Sequence, residues 1–217
     1  MGNLKSVKGK FGMAFGKFSQ SDFVLVTSPM KKAKLPVKDI TVEAWVIDEG
    51  LLEWGGYVGC FQDNGSFEKG WVLGTNNAIT FVVSTENPND GDGILTYVVA
   101  NAKYNKGKWI HVAGTYDGKK IKIYINGELA GDNSSHTGDI NYPEEGDSAP
   151  DAEFIIGKYK DINKNFPHQG SIDEVKLYEH ALSAAKNKKN MNSHGLAVNQ
   201  ADKLGMMWGT IKRNRTR

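Results

Sequence analysis

Apolar and polar residues alternate with a period of two through much of the chain. Ile40, Val42, Ala44 and Val46 alternate with Thr41, Glu43 and Trp45, the spacing of a strand with one face buried. The stretch KWIHVAGTYDGKKIKIYINGELAG (108–131) predicts a three-stranded antiparallel meander. Its first strand holds Ile110 and Val112 and ends at Thr115 and Tyr116, with Asp117-Gly118 as a two-residue turn. Ile121, Ile123 and Ile125 form the second strand, and Asn126-Gly127 turns the chain into the third. Asp-Gly and Asn-Gly pairs accept the positive φ that tight hairpins need. Further strands are expected over 12–16, 22–27, 57–62, 70–74, 78–84, 94–100, 152–158 and 170–179. So many short strands with turn signals between them predict an all-β antiparallel sandwich or barrel rather than βαβ units. One helix is predicted over 184–191, capped by Ser183, stopped by Gly195 and lying on the outside. The polar, acidic stretch 132–151 is expected to be a long surface loop.

Length and composition narrow the picture further. A chain of 217 residues fits one large β domain, expected over 1–190. A tail over 191–217 would follow, packing back through Leu204–Ile211 and ending basic. Twenty-five glycines against six prolines point to tight turns rather than low complexity. A net charge of +2 argues against nucleic acid as a partner. Cys60 has no second cysteine to pair with. The longest apolar run, 94–100, is too short for a membrane span. Residues 1–10 lack the apolar centre of an export signal, so an exported protein is expected to have had its signal removed or to carry it upstream.

Four segments, in order, resemble the laminin G-like, pentraxin-related jelly roll of the concanavalin A-like type. They are GKFGMAF (9–15) with DFVLV (22–26), ITVEAWV (40–46), KWIHVAGTYDG (108–118) with YINGELA (124–130), and QGSIDEVKLY (169–178) with ALS (181–183). The resemblance covers residues 9–190. It implies an antiparallel β-sandwich of two curved sheets and an extracellular or cell-surface binding module. Gly16 stands where many relatives carry an aspartate after the first strand's Phe15. Lys158 and Lys160 occupy a stretch that is acidic in pentraxins.

The residues offer little for catalysis. No strand carries the Glu-x-Asp-x-(x)-Glu carboxylates of related glycosidases, and Glu145-Gly-Asp147 falls in a Pro/Gly loop. Asp173 and Glu174 are adjacent, so alternation sends them to opposite faces. His111 reads as a structural mid-strand residue, and there is no Gly-x-Ser-x-Gly. The chain is therefore expected to be no enzyme. By resemblance to pentraxins, calcium is expected at Asp63 and Asn64 together with Asp161 and Asn163. A second, structural ion is expected at Asp173. Trp54, Tyr57, Phe67, Trp71, Tyr104, Tyr159 and Phe166 lie in or beside presumed loops, whereas Trp45 and Trp109 read as core. Ligand residues are expected among Trp54, Asp63, Asn64, Phe67, Asp161, Asn163 and His168, facing a carbohydrate or a protein partner.

Overall fold

The computed structural model describes residues 4–16, 18, 21–27, 35–50, 52–63, 68–87, 95–142, 153–161 and 164–193. The tail contact expected over Leu204–Ile211 lies outside them. In chain order the described residues form β1 (Lys5–Lys8), β2 (Met13–Gly16), β3 (Val24–Thr27), β4 (Ile40–Asp48), β5 (Gly56–Asp63), β6 (Glu68–Thr75), β7 (Ile79–Asn87) and β8 (Leu95–Val99). There follow β9 (Trp109–Tyr116), β10 (Ile121–Ile125), β11 (Glu128–Asn133), β12 (Thr137–Ile140), β13 (Phe154–Ile156), β14 (Lys158–Lys160), β15 (Asn165–Pro167), β16 (Gly170–Tyr178) and α1 (Ala184–Met191).

One sheet runs β1-β2-β16-β4-β9-β10-β11. The other runs β12-β7-β6-β5-β13-β3, with β8 also beside β7, and β14 and β15 form a separate hairpin. This is the antiparallel jelly-roll sandwich that the resemblance implies. Val42, Val46, Val112, Ile123 and Leu177 from the first sheet meet Tyr57, Cys60, Trp71, Leu73, Phe81 and Phe154 from the second. Trp71 satisfies its buried indole by donating to the Tyr142 hydroxyl at 2.9 Å, and that hydroxyl donates to Pro36 O at 2.7 Å.

Several expectations change in the folded chain. Ile121 pairs with Tyr116, so the loop between them spans four residues rather than two. Asp117 Oδ1 closes it by accepting from the Lys119 and Lys120 amides. Asn126-Gly127 does make the tight turn, between the paired Ile125 and Glu128. The stretch 132–151 contains a strand, since β12 pairs with the far end of β7. Tyr57 and Trp71 are buried in the strands expected over 57–62 and 70–74, and Tyr159, expected in or beside a loop, is buried in β14.

The alternating strand β4 is buried on both faces rather than one, because loop 9–12 and α1 cover the first sheet's outside. Trp45 therefore lies in this outer layer, edge-on to His111 at 5.5 Å, and donates to Met191 O at 3.3 Å. Glu43 accepts from Tyr178 Oη at 3.2 Å and pairs with Lys176 at 3.2 Å. Burial raises its pKa against those partners. His111, 1% exposed, has its pKa pushed down to about 3 by burial, with the Lys176 charge adding to the effect. Ser183 caps α1 as predicted, its side chain accepting from Lys186 N. The helix buries Asn187 and Asn190 rather than an apolar stripe, and Asn190 donates to Tyr178 Oη at 3.1 Å.

Candidate functional site

The outside of the second sheet is apolar where a solvated face would be polar. Phe61, Val72 and Val82 alternate with the core residues Cys60, Trp71 and Val83, so they point outward. With Tyr159 and Tyr97 they form a second apolar cluster.

Two local devices complete this face. Gly157, at φ 90°, turns the chain out of β13 and into the β14–β15 hairpin, a backbone state that glycine adopts without strain. Gly56 lets that hairpin approach β5, since a Cβ there would lie 2.2 Å from Tyr159 N. Tyr159 thus lies over Phe61, with ring centroids 5.4 Å apart. The second device is the turn after β4, fixed on both sides of Trp54. Leu52 O accepts from Asn77 N at 3.2 Å, and Gly55 O accepts from Thr75 N at 2.7 Å. Trp54 is held between them at φ 61°, a left-handed conformation that is strained for a bulky side chain. Its half-buried ring leans on Tyr97 at 5.9 Å and on Tyr159 at 6.1 Å. Phe166, 36% exposed, extends the row 6.0 Å beyond Tyr159.

Shallow depressions flank Tyr159 on two sides. One, with room for about one water, is edged by Trp54 and by the polar groups of Thr75, Asn76 and Thr80. The other, equally small, is edged by Phe61, Glu153, Lys158 and Lys160. Lys160 pairs with Glu153. The Lys158 ammonium lies 5.1 Å from the Phe23 ring centroid, and burial lowers its pKa, with the Lys160 charge adding.

At one end of the row, two segments distant in sequence meet. Asp161 Oδ2 accepts from Asp63 N at 3.2 Å, and Asp161 Oδ1 accepts from Lys164 N at 2.7 Å. The Lys164 ammonium lies 2.6 Å from Asp63 Oδ2 and 3.6 Å from Asp161 Oδ2, and it also donates to Asp63 O. Tyr159 donates its hydroxyl to Asp63 Oδ2 at 3.0 Å, which joins this cluster to the aromatic row. Burial raises the Tyr159 pKa, and the Asp63 charge and hydrogen bond raise it further, so the phenol stays a donor.

Of the residues singled out in the sequence, Trp54, Asp63 and Asp161 come together here. Asn64, Phe67 and Asn163 lie outside the described residues. His168 is placed in the interior at 2% exposure, against Tyr57 at 5.1 Å between ring centroids. Its Nε2 lies 3.0 Å from Ile47 O, which only accepts, so Nε2 carries the proton. Burial pushes its pKa down to about 4. Asp48, beside it, accepts from Tyr57 Oη at 2.7 Å. Asp173 is also fully buried; its Oδ2 accepts from Phe11 N at 3.1 Å and its Oδ1 from Glu174 N at 2.9 Å. A bulge between Asp173 and Lys176, with Glu174 at φ 48°, breaks the alternation assumed for this pair. Tyr97, Phe61 and Lys164 escape sequence reasoning. For Phe61 the visible signal is that YVGCF is apolar at both parities.

Two antiparallel sheets with an aromatic outer face make this a lectin-type jelly-roll domain. The chain belongs to the concanavalin A-like lectin/glucanases superfamily, whose laminin G family model matches residues 19–186. Pappalysin-1 of Mus musculus is 24% identical over 175 residues, which are 75% of this chain and 10% of that protein. The chain thus spans a tenth of the length of the curated relatives it matches. Among solved structures, domain 4 of AbnA is similar with a TM-score of 0.64 at 20% identity, over 89% of this chain and 82% of that one. AbnA is a GH43 extracellular arabinanase from Geobacillus stearothermophilus, and the domain is in complex with arabinotriose. The Ruminococcus gnavus IT-sialidase CBM40, bound to alpha2,3 sialyllactose, is similar with a TM-score of 0.54 at 15% identity, over 82% and 93% of the two chains. At these identities the likeness is one of fold. Among the described residues no helix is long and apolar enough to cross a membrane.

Proposed function

We propose that this domain is a non-catalytic glycan-recognition module acting at an extracellular or cell surface. The observation that carries the reading is the row Tyr97–Trp54–Tyr159–Phe166, with polar groups along both edges and Trp54 held in a strained backbone state. Aromatic faces offer a sugar ring apolar contact, while Asn76 and the partly exposed Lys160–Glu153 pair supply donors and acceptors for hydroxyls. Strain at a conspicuous surface residue fits a selected binding role. The arabinotriose and sialyllactose complexes of domains with the same fold support a sugar ligand. The non-catalytic part rests on Asp63 and Asp161, which share one ammonium rather than standing apart as a free acid and base.

A glycan array, followed by calorimetry on any hit, tests this. Saturable binding that weakens about tenfold or more in Trp54→Ala, a loss of about 1.4 kcal/mol, is the expected result. A blank array, or unchanged affinity in that variant, would remove the glycan reading. Protein partners captured through the same ring would instead favour an adhesive module.

A further inference from the structure

We infer that Lys164 is a resident cation: its ammonium fills the place between Asp63 and Asp161 where the pentraxin likeness leads to calcium, and this face is built without a metal ion. The inference does not depend on which ligand the face binds. An ammonium offers three N–H donors, and three oxygens from two segments surround this one. Asp63 Oδ2 lies at 2.6 Å, Asp161 Oδ2 lies at 3.6 Å, and Asp63 O accepts directly. Calcium needs six to eight oxygen ligands at roughly 2.3–2.6 Å. Here the carboxylate oxygens already accept from the Asp63 amide, the Lys164 amide and the Tyr159 hydroxyl. Each of those partners turns a hydrogen, not a lone pair, toward the acids. Among the described residues no group of three His, Cys, Asp or Glu is placed to hold a metal. An incoming dication would also meet the ammonium at close range.

The lysine does the mechanical work expected of such an ion. It ties the end of β5 to the turn between β14 and β15, segments 101 residues apart in sequence. That closure holds the Tyr159 hydroxyl on Asp63 and so fixes the central ring of the aromatic row. Lys164 is only 26% exposed and Asp161 is fully covered, so the contact is shielded more than an ordinary surface ion pair.

Melting curves of the full chain in calcium and in chelator, with metal analysis of the purified protein, test the inference. Wild type should melt at one temperature in both buffers and carry no stoichiometric calcium. Lys164→Gln should melt about 2–4 °C lower in chelator, and calcium should not recover that loss, because the two amides and the Tyr159 hydroxyl still point hydrogens at the acids. Lys164→Arg, which keeps the charge, should stay indifferent to calcium. The inference is overturned by a calcium-raised wild-type melting temperature or by bound calcium in the purified protein. It is equally overturned if Lys164→Gln melts like wild type in chelator or regains the wild-type melting temperature in calcium. The two wild-type measurements decide the matter even if Lys164→Gln does not fold.

Discussion

Trp54 offers a comparison in which two small residues should rank opposite to their usual order. Alanine and glycine both delete the ring that leans on Tyr97 and Tyr159, at a shared loss of roughly 1–2 kcal/mol for a half-buried aromatic. They differ in the backbone. At φ 61° an L residue costs roughly 1–2 kcal/mol that glycine avoids. Glycine returns about 0.4–1 kcal/mol of this through its freer unfolded chain. Trp54→Gly should therefore be the more stable of the two, by about 0.5–1 kcal/mol. For a chain of this size that is about 1–4 °C in melting temperature. In ordinary strand or helix positions glycine is instead the worse residue by roughly 0.5–1 kcal/mol. Urea unfolding followed by circular dichroism, with equal slopes for both variants, measures the difference. An alanine variant as stable as the glycine variant, or more so, would refute the claim of strain. Both variants should lose the ligand, which separates the ring's role in binding from the backbone's role in stability.

Acid should weaken the fold through its buried histidines. The His168 pKa lies near 4 in the fold against 6.5 in the open chain. The unfolded chain therefore takes up its proton first, and the stability His168 confers is full above pH 6.5 and drains away as the pH falls to 4. That amounts to roughly 3 kcal/mol at the acid end. The raised pKa values of Glu43 and Asp48 act in the opposite sense, so the test is a difference. His168→Gln should flatten the fall in melting temperature across that window, and an unchanged profile would remove His168 as a contributor. Tyr142→Phe leaves the buried Trp71 indole N–H without its acceptor and should cost about 1–3 kcal/mol in chemical denaturation. Tyr159→Phe removes the donor to Asp63; a loss of about 1.5 kcal/mol or more is expected, because the acceptor is charged.

Much of the sandwich is readable because its signals are local. Asn126-Gly127 specifies a hairpin within a few residues, and Ser183 marks the start of α1 in the same way. The β1 and β12 strands were hidden because KSVK and TGDI carry almost no apolar pattern, and only pairing with β2 and β7 makes them strands. The two-sided burial of β4 depends on a helix about 140 residues later, which no window around Ile40 contains. Trp54, Asp63 and Asp161 could be proposed from residue type and resemblance. Lys164 could not, since a lysine in a turn reads as solvated until the end of β5 is brought beside it. His168 was drawn in by its neighbourhood, although the chain turns it inward beneath the β14–β15 hairpin.

The placement of α1 has a directional consequence. The helix and its asparagine network occupy the outside of the first sheet, and the aromatic row occupies the outside of the second. The end of the helix is pinned to that sheet as well, since Ser193 O accepts from the Lys176 ammonium. A glycan held on the row would therefore sit across the full thickness of both sheets from α1. The domain thus has a front and a back: its own helix closes one outer face, and the other is the one left for a ligand.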